Sequence, residues 1–230
     1  MRQAIIVAHG SPSDPAPQEA ALRALAQRVG ALLPDWQVRG ATLAADGSLA
    51  AALRGFDRPV IYPFFMAEGW FTGKELPRRL DALATDRQQI APFGLDPDLP
   101  ALIAEIVTES AVSAGIEPKS SALILAAHGS KVARRSKDSA YAMAEKLAGL
   151  VPFAHIEVAL IEEPPFLTDV AGAVGRGLCL PFFALRAGHV EGDIPEALAK
   201  AGFGGPCLQP IGEHYKVPAL IAAALRRARP

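Results

Sequence analysis

The sequence predicts an α/β protein made of two tandem duplicated domains, each a parallel sheet of about four strands flanked by helices. Three features of the chain point there. Apolar runs of strand length alternate with helix-period segments along all 230 residues, the pattern of parallel strands covered on both faces. The second half repeats the first at a nearly constant offset: His128 minus His9 is 119, while Pro181 minus Pro63, Pro195 minus Pro77 and Pro210 minus Pro92 are each 118. "AIIVAHGS" (4–11) returns as "ALILAAHGS" (122–130), an apolar run ending in histidine both times.

Taken in order, strands are expected near 4–8, 38–44, 59–65 and 89–93, with helices near 17–33, 47–54, 74–84 and 98–113. The second half reads alike, with strands near 122–127, 156–161, 178–183 and 207–211 and helices near 136–150, 166–175, 193–201 and 217–228. Toward the ends of the halves "PFGLDPDLPALIA" (92–104) faces "PIGEHYKVPALIA" (210–222). The expected domains are 1–115 and 120–230, joined around "SAGIEPKSS" (113–121).

Half of the residues are hydrophobic and a fifth are charged, enough for packed cores and inconsistent with disorder. A formal net charge of −1 argues against a nucleic-acid surface. No apolar run approaches the roughly 18 residues of a membrane span. The opening "MRQAIIVAHGSP" enters a strand pattern directly, so a cytoplasmic location is expected. Cys179 and Cys207 lie in apolar runs, form no CxxC and read as small buried hydrophobes. Phe64, Phe65, Phe182 and Phe183 read as core, with Phe183 or Leu185 available to line a pocket for a flat ring.

In open parallel sheets ligands bind beyond the carboxyl ends of the strands. Three successive strands of the second half deliver His128, then Glu162 and Glu163, then His189 to that edge. Imidazole and carboxylate together suit a borderline divalent metal, and equally a pair of general bases near neutral pH. Glu163 is the weaker carboxylate, since successive strand-end residues point apart. At the same offset Glu162 falls on Ala44 and His189 on Phe71, or on Trp70 if Gly69 is set against Gly188. The first half thus keeps the strand-end His9 and loses its partners, which places one competent site in the second half.

After His128 the chain continues "GSKVARRSK", placing Lys131, Arg134, Arg135 and Lys137 at a helix start, an arrangement suited to anions. A substrate with several carboxylates fits that loop. His214 lies at the same edge, opposite Asp96 in the repeat, and is a candidate substrate contact; His155 lies at the opposite edge, on the surface. "GWFTGKEL" (69–76) fails as a phosphate loop, and neither a GxSxG elbow nor a helix-opening GxGxxG is present. No nucleotide and no covalent nucleophile is expected.

The two "HGS" strand ends, "LPFF…AGHVEGDIP" and the tandem arrangement together resemble the class II tetrapyrrole chelatases, in particular sirohydrochlorin chelatases of the CbiX type in their two-half form. The resemblance covers nearly the whole chain. It implies an ATP-independent enzyme that inserts a divalent metal, Co²⁺ ahead of Fe²⁺, into sirohydrochlorin or a related tetrapyrrole of cobalamin or siroheme biosynthesis, with an active cleft between the domains. It implies His128 and His189 beside the metal, with Glu162 as the matching carboxylate; Glu162 or one of the histidines is then expected to accept the pyrrole protons, and the basic loop of Lys131, Arg134 and Arg135, with His214 at the same edge, to meet the substrate. No cofactor is implied beyond the substrate metal, and no partner beyond tetrapyrrole and metal ion; the chain is expected as a monomer or homodimer. A non-catalytic tetrapyrrole or metal carrier and a metal-dependent hydrolase are the alternatives on the same scaffold.

Overall fold

The computed structural model describes residues 1–129, 135–186 and 188–228, together with their side chains except those of residues 135, 136 and 189. Its first sheet holds β1 (Arg2–Ala8), β2 (Trp36–Thr42), β3 (Val60–Pro63) and β4 (Gln88–Gln89) in the order β2-β1-β3-β4, all parallel. The second holds β5 (Ala122–Ala127), β6 (His155–Leu160) and β7 (Gly177–Pro181) in the order β6-β5-β7, also parallel. The most apolar run of each half is its central strand. Every residue of β5 is buried, as are the last five of β1.

The helices are α1 (Pro15–Ala31), α2 (Ser48–Leu53), α3 (Leu76–Ala82), α4 (Leu99–Ser113), α5 (Arg135–Ala148), α6 (Leu167–Val174), α7 (Ile194–Lys200) and α8 (Val217–Arg227). Proline stands in the first turn of α1, α3, α4, α7 and α8. That turn needs no N–H donor and has a φ that suits the ring, so the repeated prolines start helices. Two π-helical turns, Phe71–Glu75 and His189–Asp193, lead into α3 and α7. No helix among the described residues is long and apolar enough to cross a membrane.

The sequence halves and the compact units differ at their ends. One unit is Met1–Asp96 with Tyr215–Pro230, and the other is Pro97–His214. Helix α8 therefore packs with the first sheet's unit, against α1, and α4 with the second's, against α5 and β7. In the first unit the buried Asp96 pairs with Arg227 of α8 at 3.0 Å and takes a long 3.5 Å hydrogen bond from the Tyr62 hydroxyl. Burial, then the Asp96 charge, pushes the Tyr62 hydroxyl well above its ordinary pKa.

The cores repeat position by position. Ile5, Ala41, Leu49, Leu76 and Leu80 in the first correspond to Ile124, Ala159, Leu167, Ile194 and Leu198 in the second. Phe64 and Phe182 are buried as expected, while Phe65 and Phe183 are only partly so.

Two expectations need correction. The strand near 207–211 reduces to an isolated bridge between Cys179 and Cys207, and its counterpart near 89–93 to Gln88–Gln89. Prolines at 206 and 210 remove the ladder donors that a longer strand needs. Cys179 is buried as read, but Cys207 is exposed.

Candidate functional site

The carboxyl edge of the second sheet begins where β5 runs out. His128 follows it directly and is exposed, and Gly129 turns the chain at φ +70°. A Cβ at Gly129 would stand 3.1 Å from Cγ of Glu163 and 3.2 Å from Cβ of Leu160, so both backbone conformation and space ask for glycine. Nδ1–H of His128 donates to the Gly129 carbonyl at 2.6 Å. A carbonyl can only accept, so in the neutral ring this bond puts the proton on Nδ1 and the lone pair on Nε2, the nitrogen that can ligate metal or take a proton.

Glu162 is brought to the same edge by the end of β6. Its N–H donates to the His128 carbonyl at 3.0 Å, and Ile161 N–H reaches the Ala127 and His128 carbonyls at 3.1 and 3.2 Å. In the first half Leu43 and Ala44 donate to Ala8 and His9 at 2.9 and 2.8 Å. This fixes Ala44 as the counterpart of Glu162, as the offset requires.

Glu163 is not a solvated loop acid. Its carboxylate, with only 14% of the side chain exposed, pairs with Lys137 of α5 at 2.8 Å, and its stem lies over Gly129. Lys137, read from sequence with the anion-binding run, is therefore committed to an internal pair. The offsets give Ala45 and Gln18 at the equivalent positions of the first half, so the pair belongs to the second half alone. Sequence could have signalled it through that asymmetry.

His189 opens the π-helical turn His189–Asp193, and Phe71 opens Phe71–Glu75. The matching turns settle the choice between Trp70 and Phe71: Phe71 is the counterpart of His189. π-Turns are rare and gather at functional positions. The His189 side chain lies outside the described residues. In the first half the rings of His9 and Phe71 stand 4.2 Å apart, with Phe71 also against Phe65 at 6.2 Å and Trp70 at 5.0 Å.

His9 differs from His128 in its chemistry. Its Nδ1 is buried without a hydrogen-bond partner among the described residues. Burial, and then the nearby Arg79 guanidinium, lowers its pKa below the ordinary 6.5, against a smaller opposing contribution from its own backbone. In the same half Glu19 accepts from Thr42 N–H at 2.8 Å, from the Thr42 hydroxyl at 2.7 Å and from the Ser48 hydroxyl. Burial alone would raise the Glu19 pKa, but the bonds from Ser48 and Thr42 and the Arg23 charge outweigh it and hold it low. Glu75 is bound by Arg78 and Arg79 at 2.8 and 2.7 Å, which draws its pKa down to about 2. Sequence reasoning missed both networks, since each pairs residues whose polarity alone reads as surface.

Of the other expected contacts, Lys131 and Arg134 lie outside the described residues, as does the side chain of Arg135. His214 is half-buried just after the turn Ile211–Glu213, with its N–H donating to the Ile211 carbonyl at 3.2 Å. That turn is fixed to the segment after β7 by Gly212 N–H to Phe183 at 3.0 Å and by the Arg186–Glu213 pair at 3.1 Å. His155 opens β6 at the opposite edge and is exposed, as expected. A pocket of about 280 Å³ lined by Thr168, Asp193, Glu196 and Lys200, among others, contains none of the candidate residues. Among the described side chains no three His, Cys, Asp or Glu cluster to hold a metal ion.

Comparison with known proteins places this geometry in a family. The family model of CbiX matches the chain twice, over residues 3–110 and 122–228. A structure of CbiX, the terminal enzyme for biosynthesis of siroheme in denitrifying bacteria, is 44% identical over the whole of both chains, with a TM-score of 0.90. A protein of Halobacterium salinarum named "Probable sirohydrochlorin cobaltochelatase" is 25% identical over 85% of this chain and 76% of its own. SirB from Bacillus subtilis with Fe³⁺ shares the fold at 18% identity, with a TM-score of 0.78 over 98% of this chain and 95% of that one. Matched in both halves, the chain belongs to the CbiX family.

Proposed function

We propose that this protein is a chelatase that inserts a divalent metal ion into sirohydrochlorin without a nucleotide, using the strand-end edge of its second half. The observation that carries the reading is the pairing of His128 and Glu162 by backbone hydrogen bonds at that edge, with the His128 lone pair set on Nε2 by Nδ1–H donation to Gly129. His189, at the head of its π-turn, supplies the second imidazole.

In this account neutral His128 and His189 receive the metal substrate. Glu162, two residues beyond the β6 end, takes protons released by the pyrrole nitrogens as metal–nitrogen bonds form. Glu163 and Lys137 hold the Gly129 turn and act as positioning residues. Lys131, Arg134 and Arg135 meet the substrate's carboxylates, and His214 contacts its rim. Binding energy from those remote groups goes into bending the macrocycle toward the metal. Imidazolium cannot ligate, so activity declines toward acid pH.

The relative at 44% identity serves siroheme, an iron tetrapyrrole, which favours Fe²⁺; the relative at 25% is named for cobalt, which keeps Co²⁺ as the second candidate. The test is an absorbance time course with sirohydrochlorin and Fe²⁺, Co²⁺ or Ni²⁺ in the absence of ATP. Many turnovers per protein support the proposal, and the fastest ion names the metal. Spectral change that halts at one equivalent identifies a carrier and overturns it.

A further inference from the structure

The two cysteines face each other where the segment after α7 makes its isolated bridge to β7. Cys179, in the middle of β7, and Cys207 form a parallel bridge, with Cys179 N–H donating to Pro206 at 3.1 Å and Leu208 N–H to the Cys179 carbonyl at 2.8 Å. Partners in such a bridge point to the same face, so the two thiols are neighbours there, and the Cys207 thiol donates to the Leu208 carbonyl at 3.6 Å. Strand spacing of roughly 4.8 Å lies within the range of about 4.4–6.8 Å between Cα atoms that a disulfide spans. One thiol is buried and the other exposed, so an incoming reagent meets Cys207 first. At the offset of 118 the first half carries Ile61 and Gln89, which pair in the β3–β4 register, so the dithiol occurs only in the second half.

We infer that Cys179 and Cys207 form a redox-active dithiol that closes to a disulfide by exchange with low-molecular-weight disulfides. The Cys207 thiolate attacks one sulfur of the small disulfide; that S–S bond breaks, and the departing thiolate takes a proton from solvent. Cys179, losing its proton to solvent, then attacks Cys207 Sγ and expels the second small thiol. One small disulfide is reduced to two thiols as the protein pair is oxidised.

The electrostatics follow the same order. The adjoining Cys179 thiol lowers the Cys207 pKa, burial opposes it, and Arg186 lowers it further, while the adjoining Cys207 and burial raise Cys179. Cys207 is therefore the attacking thiol and Cys179 the resolving one, and the second step is the slower. Closure clamps β7 to the segment leading into Ile211–Glu213 and His214, beside the proposed site.

The experiment treats the intact protein with oxidised glutathione, quenches in acid and measures mass. The expected product has lost two hydrogens and carries no adduct. Cys179→Ala should stop at one glutathione on Cys207, and Cys207→Ser should remain unmodified. Cys179→Ser serves if the alanine variant fails to fold. Wild type that accumulates a stable glutathione adduct, or that stays reduced while Cys179→Ala is modified, overturns the inference. Because the readout is mass, its failure is separate from any failure of the chelatase proposal.

Discussion

The same substitution made at equivalent turns separates scaffold from chemistry. Gly10 and Gly129 both follow a strand-end histidine, at φ +81° and +70°. Alanine in the left-handed region costs about 1–2 kcal/mol at either position. At Gly10 the added Cβ would stand 2.8 Å from Thr42 Cβ and 2.9 Å from Ala44 Cβ, both fixed by the backbone. Overpacking of that kind adds about 1–3 kcal/mol. At Gly129 the contacts are 3.1 Å to Glu163 Cγ and 3.2 Å to Leu160 Cβ, and the glutamate stem can yield. The expected losses are about 2–5 kcal/mol for Gly10→Ala and about 2 kcal/mol for Gly129→Ala. Turnover should rank the other way. Moving Glu163 and the His128 turn by a few tenths of an ångström costs about tenfold, given that a 1 Å misplacement costs about a hundredfold. Urea unfolding gives the first ranking and metal insertion into sirohydrochlorin the second. If folded Gly10→Ala loses more turnover than Gly129→Ala, the assignment of chemistry to the second half is refuted.

Glu19→Ala strips three buried donors of their acceptor and should cost about 3 kcal/mol, at roughly 1–3 per unsatisfied group with some relief by hydroxyl rotation; denaturant titration checks it. Glu19 and Glu75 both have depressed pKa values when folded, so the stability they add is present above the ordinary 4.5 and lost as pH falls through their folded values, about 2 for Glu75. Unfolding followed over that range should show a steeper acid loss in wild type than in Glu75→Gln. His9→Phe should leave turnover intact. It should also remove the loss of stability that sets in as pH falls below 6.5, where the unfolded chain binds a proton before folded His9 does. Glu163→Ala breaks a partly exposed pair worth at most about 1 kcal/mol. It should change kcat more than stability, with Glu163→Gln restoring part of the loss.

Much of this was legible in the chain because a duplicated sequence carries its own comparison. The offset located Ala44 opposite Glu162 and left Phe71 or Trp70 opposite His189; the backbone bonds of Ala44 agree, and the π-turn selects Phe71. Strand and helix positions followed from apolar period and proline placement. What escaped were interactions set by side-chain reach. Lys137 read as one base in a basic run, yet it turns inward to Glu163. Glu19 sits among polar and small residues that give no local sign of its burial, and Thr42 and Ser48 approach it from other elements. Cys207 lies between prolines in an apolar run, and only strand pairing shows that it faces Cys179 across a bridge while remaining exposed. The exchange of α4 and α8 between compact units is likewise invisible to a repeat, since both helices occupy equivalent places in sequence.

The central claim is that one half performs the chemistry. Its most direct test is multiple-turnover insertion of Fe²⁺ and Co²⁺ into sirohydrochlorin by wild type, His128→Ala, His189→Ala and His9→Ala, each first shown to be folded. The account predicts that the two second-half variants lose turnover by at least about a hundredfold, the scale of one positioned acid–base or ligand group, while His9→Ala stays within a few-fold of wild type. Loss of turnover in His9→Ala with activity retained in His128→Ala would contradict it.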